Sequence, residues 1–211
     1  MKKLLFTVSA IAALSLLLVP SSSIAEPTHP NEVGLYTTPD GYGETGIYGL
    51  GILLDVYLVL TKPTYTATGT PLSTINIFQC QLNFNPIGNL YRMAAVFPAE
   101  FIDCGGNQFI DLGYLEYGIC FNNDIPVINE SVVLITFTFM HIAPGVIEVT
   151  LGPTSNVPHE IPGQMAFQWV EGQFEVMHPI SGSHDAPVFL FEGEAVEVEN
   201  ESFGSVKALY R

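Results

Sequence analysis

From about residue 50 onward, short runs in which apolar and polar side chains take turns are separated by Pro- and Gly-bearing turns. The clearest run is 132–140. Ile135, Phe137 and Phe139 point one way and Thr136 and Thr138 the other, the period of two that a half-buried strand requires. Residues 146–151 repeat it, with Ile147, Val149 and Leu151 opposite Glu148 and Thr150. Residues 165–170 alternate again and are turned by Glu171-Gly172. Residues 75–84 place Phe78, Cys80, Leu82 and Phe84 on one apolar face, and 52–61, bounded by Gly51 and Lys62-Pro63, form an apolar run of strand length. Residues 33–36, 93–97, 108–117, 174–177 and 188–191 are shorter candidates. No stretch of the chain after the first 25 residues sustains apolar positions at i, i+3, i+4 and i+7, and 15 Pro with 19 Gly leave little room for helix. The pattern predicts an all-β fold, an antiparallel β-sandwich with long loops, whose two sheets bury alternate side chains between them. Ile135, Phe137, Phe139, Phe78 and Leu82 are the expected centre of its core.

The first 25 residues follow a different rule. Lys2 and Lys3 precede an apolar run from Leu4 to Val19, Pro20 breaks it, and Ser21-Ser22-Ser23-Ile24-Ala25 supplies small residues at −3 and −1 of a cut after Ala25. That order is what a signal peptidase reads. A retained anchor is the alternative, but the run falls short of the ~20 residues that cross a bilayer, and no basic flank follows it. No cysteine lies near the cut, so no lipid attachment is expected. The chain therefore divides into a cleaved signal peptide (1–25), a sandwich domain (26–191) and an acidic linker with a C-terminal tail (192–211). The mature form has no membrane span, and the expected location is periplasmic, cell-surface or extracellular.

Charge narrows the partners. Without the signal peptide the basic residues are Lys62, Arg92, Lys207 and Arg211, and these four against 21 Asp and Glu leave a formal charge of −17. Nucleic acid, whose phosphates need several Lys or Arg contacts, is excluded as a partner, and adsorption to anionic lipid is disfavoured. Solubility and attraction to cations or basic proteins follow from the same charge; acidic adaptation to a salty environment is the plainer reading.

Cys80 lies on the apolar face of its strand and reads as a buried hydrophobe. Cys104 and Cys120, which bracket a Gly-bearing loop, are the better pair, although three pairings are open to three cysteines. Closing such a loop stabilises by roughly 3 kcal/mol in the chain-entropy description. Asp103, Asp111, Glu116 and Asp124 gather in sequence around this loop. Hard oxygen ligands of this kind suit calcium, with a plain acidic loop as the alternative, and no EF-hand spacing is present. The five histidines form no metal-binding motif. His178, Ser181, Ser183, His184 and Asp185 have the residue types of a hydrolytic triad without a nucleophile elbow, and read as a polar loop. Among the aromatics, Trp169 shares a strand face with Met165 and Phe167 and is expected in the core, whereas Tyr42 and Tyr48, in a Gly-rich loop, are the expected ligand-binding candidates.

After residue 191 the composition shifts to five Glu in ten residues, then to Ser202-Phe203-Gly204-Ser205-Val206-Lys207-Ala208-Leu209-Tyr210-Arg211. This ending resembles the shared C-terminus of a group of uncharacterised exported bacterial proteins that close on Ser-(Trp/Phe)-Gly-x-(Val/Ile)-Lys-x-Leu-(Tyr/Phe)-Arg; no activity comes with the resemblance. Phe203, Gly204, Lys207, Tyr210 and Arg211 would then act as a sorting or docking signal, against the alternative of a solvated terminus. The order of strands, with residues 75–84 running into Phe84-Asn85-Pro86 and a later strand at 133–139, resembles cohesin-like sandwiches. The expected fold is thus a cohesin-like or Ig-like sandwich.

The function expected is a non-catalytic exported module that binds a protein or glycan partner, or displays itself on a surface. Two alternatives stand beside it: a secreted polysaccharide hydrolase using two carboxylates, and a structural subunit of a surface layer or fibre. Processing gives the first prediction. Peptide mapping of the exported protein should find Glu26 at its N-terminus; a native protein that begins at Met1 would remove the signal-peptide reading.

Overall fold

Strict alternation commits a strand to burying one face, so the run around residues 131–141 must lie against a second apolar layer. The computed structural model, which describes residues 27–104, 113–156 and 160–193, shows that layer. Among the described residues fourteen strands follow in order: β1 (Glu32–Tyr36), β2 (Gly46–Tyr48), β3 (Leu53–Thr61), β4 (Thr64–Tyr65), β5 (Thr70–Pro71), β6 (Thr74–Asn85), β7 (Leu90–Val96), β8 (Phe101–Asp103), β9 (Tyr114–Pro126), β10 (Ser131–His141), β11 (Gly145–Gly152), β12 (Met165–Val170), β13 (Gln173–Pro179) and β14 (Phe189–Gly193). No helix occurs among the described residues. The predicted signal peptide and residues 194–211 lie outside them.

One sheet has the order β7-β10-β3-β1. The other is built around β6, which carries β9 on one edge, with β8 beyond it. The opposite edge of β6 is shared: Gly152 of β11 pairs with Gln81, and Ala166 of β12 pairs with Gln79. β11 and β12 are thus two pieces of one strand line, interrupted between Gly152 and Met165. β14 and β2 extend the sheet from β11, and β13 extends it from β12. β13 also meets β1 in parallel (Glu32 with His178, Val33 with Pro179) and so joins the two sheets along one side. β2 and β14 pair in parallel as well (Ile47 with Phe191). These two short parallel ladders depart from a purely antiparallel expectation, and each pairs a strand edge that would otherwise stay open.

The layers meet through aromatic rings. Phe139 of β10 lies 5.9 Å from Phe84 of β6 and 5.2 Å from Phe191 of β14, centroid to centroid. Phe137 lies 5.3 Å from Phe139 and 5.9 Å from Tyr117 of β9. The five residues expected at the centre of the core are all completely buried. Cys80 is buried among them, and burial pushes its thiol up to about 12, which makes it the inert hydrophobe expected. Cys104 and Cys120 are disulfide-bonded, with Cα atoms 6.2 Å apart, and tie the end of β8 to β9.

Two local features differ from the sequence reading. The strand read at 108–117 is described only from Tyr114, where β9 starts, and β9 runs past that reading to Pro126; residues 105–112 lie outside the described residues. Gly118, Asn122, Asn123 and Asp124 look like turn residues, but Gly118 is held opposite Gln79 of β6, and Asn122, Asn123 and Asp124 fall in a bulge between the Ile77–Cys120 and Ile75–Ile125 pairs. The β9–β10 connection turns on Asn129 (φ 50°) and Glu130 (φ 63°), closed by Ile128 N to Ser131 O (2.9 Å) and Ser131 N to Ile128 O (3.0 Å). Both turn residues sit in the left-handed region, the mark of a type I′ hairpin.

Two stability changes follow. Phe139→Ala removes the ring that touches both layers and should cost about 3–5 kcal/mol in urea unfolding. Glu130→Gly should instead stabilise by about 0.5 kcal/mol, because relief of the left-handed strain exceeds the added freedom of the unfolded chain; a loss of stability there would contradict the turn assignment.

Candidate interaction face

The outer faces of the two sheets differ in kind. On the β6-centred sheet, cross-strand rows run Glu116–Gln81–Gly152 and Tyr114–Asn83–Thr150. This polar surface is strapped by the segment after β11. Ser155 Oγ donates to Gln81 Oε1 (2.8 Å), Asn156 N and Nδ2 donate to the Glu116 carboxylate (2.6 and 2.9 Å), Asn156 Nδ2 also reaches Tyr114 OH (3.1 Å), and Glu160 N donates to Gln79 Oε1 (3.2 Å). Beneath the strap Glu116 is fully buried and Gln79 and Gln81 nearly so. Buried carboxylate and amide groups are tolerated because they accept and donate hydrogen bonds there.

The outer face of the other sheet is open. Its register sets three rows across β3, β10 and β7: Leu53–Met140–Tyr91, Asp55–Thr138–Ala94, and Tyr57–Thr136–Val96. Leu53, Tyr91 and Val96 are 63%, 53% and 60% exposed, which makes the ends of this grid apolar and wet. Its single charge, Asp55, accepts a 2.7 Å hydrogen bond from Thr138 Oγ1. Met93, also exposed, is the extra residue of a bulge, since Arg92 pairs with Phe139 and Ala94 with Thr138. Beyond Tyr57 the row continues to fully buried Tyr36 on β1, which leads into the loop of residues 37–45. Gly41 (φ +75°) lets that loop lie flat, because a Cβ there would sit 2.5 Å from Thr61 Cγ2; Ser131 Oγ donates to Asp40 O at 2.5 Å beside it. Desolvation, with Glu32 and Tyr42 nearby, raises the Tyr36 hydroxyl well above its usual range.

The residues singled out from sequence scatter over the molecule. Tyr42 is 38% exposed on the 37–45 loop, its N–H donating to Asp40 Oδ1 (3.1 Å), at the border of the open face. The backbone of Tyr48 lies in β2, and its side chain is outside the described residues. Asp103 and Asp124 are exposed on β8 and at the far end of β9, Glu116 is buried beneath the strap, and Asp111 is outside the described residues. Among the described residues no group of three or more His, Cys, Asp or Glu is positioned to hold a metal. Ser181 Oγ donates to Ser183 O (2.9 Å) and Ala186 O (3.0 Å), and His184 Nδ1 lies 2.9 Å from Leu151 O, so these residues build a turn. Trp169 is half-buried 5.4 Å from Tyr65, packed against the core as expected. Phe203, Gly204, Lys207, Tyr210 and Arg211 lie outside the described residues.

At the end of β10, next to the row through Met140, His141 is fully buried with no partner for either ring nitrogen. Gly193 packs so closely against it that a Cβ would sit 2.9 Å from His141 Cε1. Desolvation holds its pKa below the usual 6.5.

The architecture is that of a two-sheet, all-β sandwich module with one strapped polar face and one open apolar face. No family model and no curated protein matches the sequence. Solved structures similar to it include a non-cellulosomal cohesin from the hyperthermophilic archaeon Archaeoglobus fulgidus (TM-score 0.42, 10% identity, covering 80% of this chain and 94% of that one). A type II cohesin domain from the cellulosome of Acetivibrio cellulolyticus (TM-score 0.40, 8% identity, 78% and 92%) and a cohesin module from a Clostridium perfringens family 33 glycoside hydrolase (TM-score 0.39, 8% identity, 78% and 99%) are further examples.

The His141 environment predicts a pH dependence. Unfolding returns the ring to its ordinary value of 6.5, so as pH falls the unfolded chain takes up the proton first. Stability should be full above that value and fall from there down to the lower folded-state pKa. His141→Leu should flatten this part of a stability-against-pH curve measured by urea unfolding. The depressed pKa of Asp40, held down first by the Thr38 hydroxyl and then by the Tyr42 N–H, acts only below its ordinary 3.8, where stability falls with pH.

Proposed function

We propose that this protein is an exported, non-catalytic module that binds a protein partner on the open face of β3, β10 and β7. The observation that carries the reading is the contrast between the two outer faces: one is polar and strapped by its own chain, the other presents Leu53, Tyr91 and Val96 to solvent around a single carboxylate. Apolar side chains gathered by register on adjacent strands are the ordinary substrate of protein–protein recognition. A glycan would ask for more hydrogen-bonding groups than this grid supplies. The disulfide and the signal-peptide pattern support an oxidising, exported setting. The buried carboxylates support the non-catalytic part, since Glu32, Glu116 and Glu175 each receive hydrogen bonds from a nearby loop.

Site-specific photocrosslinking in the native cell envelope tests this. A photoreactive residue at Tyr91 should give one discrete protein adduct, and the same probe at Glu148, on the other sheet, should not. Leu53→Asp together with Val96→Asp should weaken that adduct about tenfold or more, the scale expected when two apolar side chains are withdrawn from an interface, without changing the far-UV circular dichroism. Equal labelling from both faces, or none from Tyr91, would refute the assignment.

A further inference from the structure

A second concavity adjoins the open face beyond its Thr136–Val96 row. Near the start of β10, a groove of about 510 Å³ runs between the 37–45 loop, the segment after β7 and the β9–β10 hairpin. Pro39, Pro98, Ile128 and Val133 supply apolar walls, and Asp40 and Asp124 stand at its rim. Ile128 is 65% exposed, so the groove offers an apolar side chain to solvent with nothing described lying on it. Asp40 is held as a carboxylate acceptor by Thr38 Oγ1 (2.7 Å) and by Tyr42 N (3.1 Å).

An apolar groove edged by two carboxylates suits an apolar segment that carries cations. Such segments are rare in this chain: between Arg92 and Lys207 there is no Lys or Arg, and then Val206-Lys207-Ala208-Leu209-Tyr210-Arg211 brings two cations among apolar and aromatic residues. The span permits the match. Gly193 packs on His141, at one end of β10, and the groove lies beside Ser131 and Val133 at the other. Ten residues of β10 extend roughly 34 Å, whereas the fourteen steps from Gly193 to Lys207 can reach roughly 46 Å.

We propose that residues 206–211 dock in this groove of their own chain, with Leu209 and Tyr210 against its apolar walls and Lys207 and Arg211 toward Asp40 and Asp124. Docking keeps the last residues on the sandwich and leaves the acidic linker as the exposed span. The groove borders the open face of β3, β10 and β7 but shares none of Leu53, Tyr91 and Val96.

Carbodiimide coupling, which joins an amine to a carboxylate in contact with it, reads this out on the mature chain with its tail verified intact by mass. An equimolar mixture of ¹⁵N-labelled and unlabelled protein separates contacts within a chain from those between chains. The expected result is Lys207 joined to Asp40 or Asp124 in products of uniform isotope, with the yield reduced about tenfold by Leu209→Ser or by Ile128→Ser, each of which removes apolar burial. Mixed-isotope products would assign the groove to the tail of a second copy and overturn the proposal. Coupling of Lys207 only to the glutamates of its own linker, or a yield indifferent to both serine variants, would overturn it as well.

Discussion

The contact on which the rest of this structure depends is that of Phe137 and Phe139 with the rings opposite them. The two side chains leave the same face of β10 and meet Tyr117, Phe84 and Phe191, which come from three different strands of the other sheet. Because the face of a strand is fixed by parity, seating these rings inside fixes Thr136, Thr138 and Met140 outside, and with them the register that places Leu53 and Tyr91 side by side. The open face is in this sense a consequence of the core. A one-residue slip of β10 would exchange the two, exposing phenylalanine and burying threonine.

Charge is handled in an unusual way. A chain with so few cations cannot pair its buried acids with Lys or Arg in the ordinary manner. Among the described residues, the acidic side chains in the buried class are Glu32, Glu116 and Glu175, and each holds a loop: Thr28 donates to the first, Asn156 to the second and Thr66 to the third. Amide and hydroxyl donors take the place of cations, and carboxylates that would otherwise be a burden become fastening points for the segments that wrap the sheets. Arg92, one of the four basic residues beyond residue 25, donates to the hydroxyl of fully buried Tyr117 (2.9 Å), which ties edge strand β7 to β9 across the gap between the sheets.

The main strands were legible because alternation needs only neighbours in sequence; β3, β6, β10, β11 and β12 lie within a residue or two of the runs that announce them. The short strands β2, β4, β5 and β8 were not, since their pairing depends on partners far along the chain and their residues carry no period. β9 runs past the 108–117 reading because Gly118 is paired with Gln79 and the Asn122-Asn123-Asp124 run is carried as a bulge before Ile125 rejoins β6. The candidate face was hidden for a different reason. Leu53 belongs to a run that reads as buried, and Tyr91 and Val96 belong to a strand only partly recognised; they become one surface only when register sets them abreast. Sequence reasoning instead favoured aromatics in Gly-rich loops, and of these Tyr42 does lie at the border of the face. Of the acids around the disulfide, Glu116 and Asp124 are separated by the length of β9, the first buried beneath the strap and the second exposed toward the strand's far end, and Asp111 lies outside the described residues.

The parallel pairing of β2 with β14 has a mechanical consequence. β14 is the last described strand, held on one edge by β11 and on the other by β2, with Leu190, Phe191 and Glu192 matched to Gly46, Ile47 and Tyr48. Tension applied to the chain beyond Gly193 therefore pulls along the strand axis. Both ladders are loaded in shear, their hydrogen bonds sharing the force together instead of opening one after another as in an unzipped hairpin. Such an arrangement resists detachment of β14 under a steady pull along its axis.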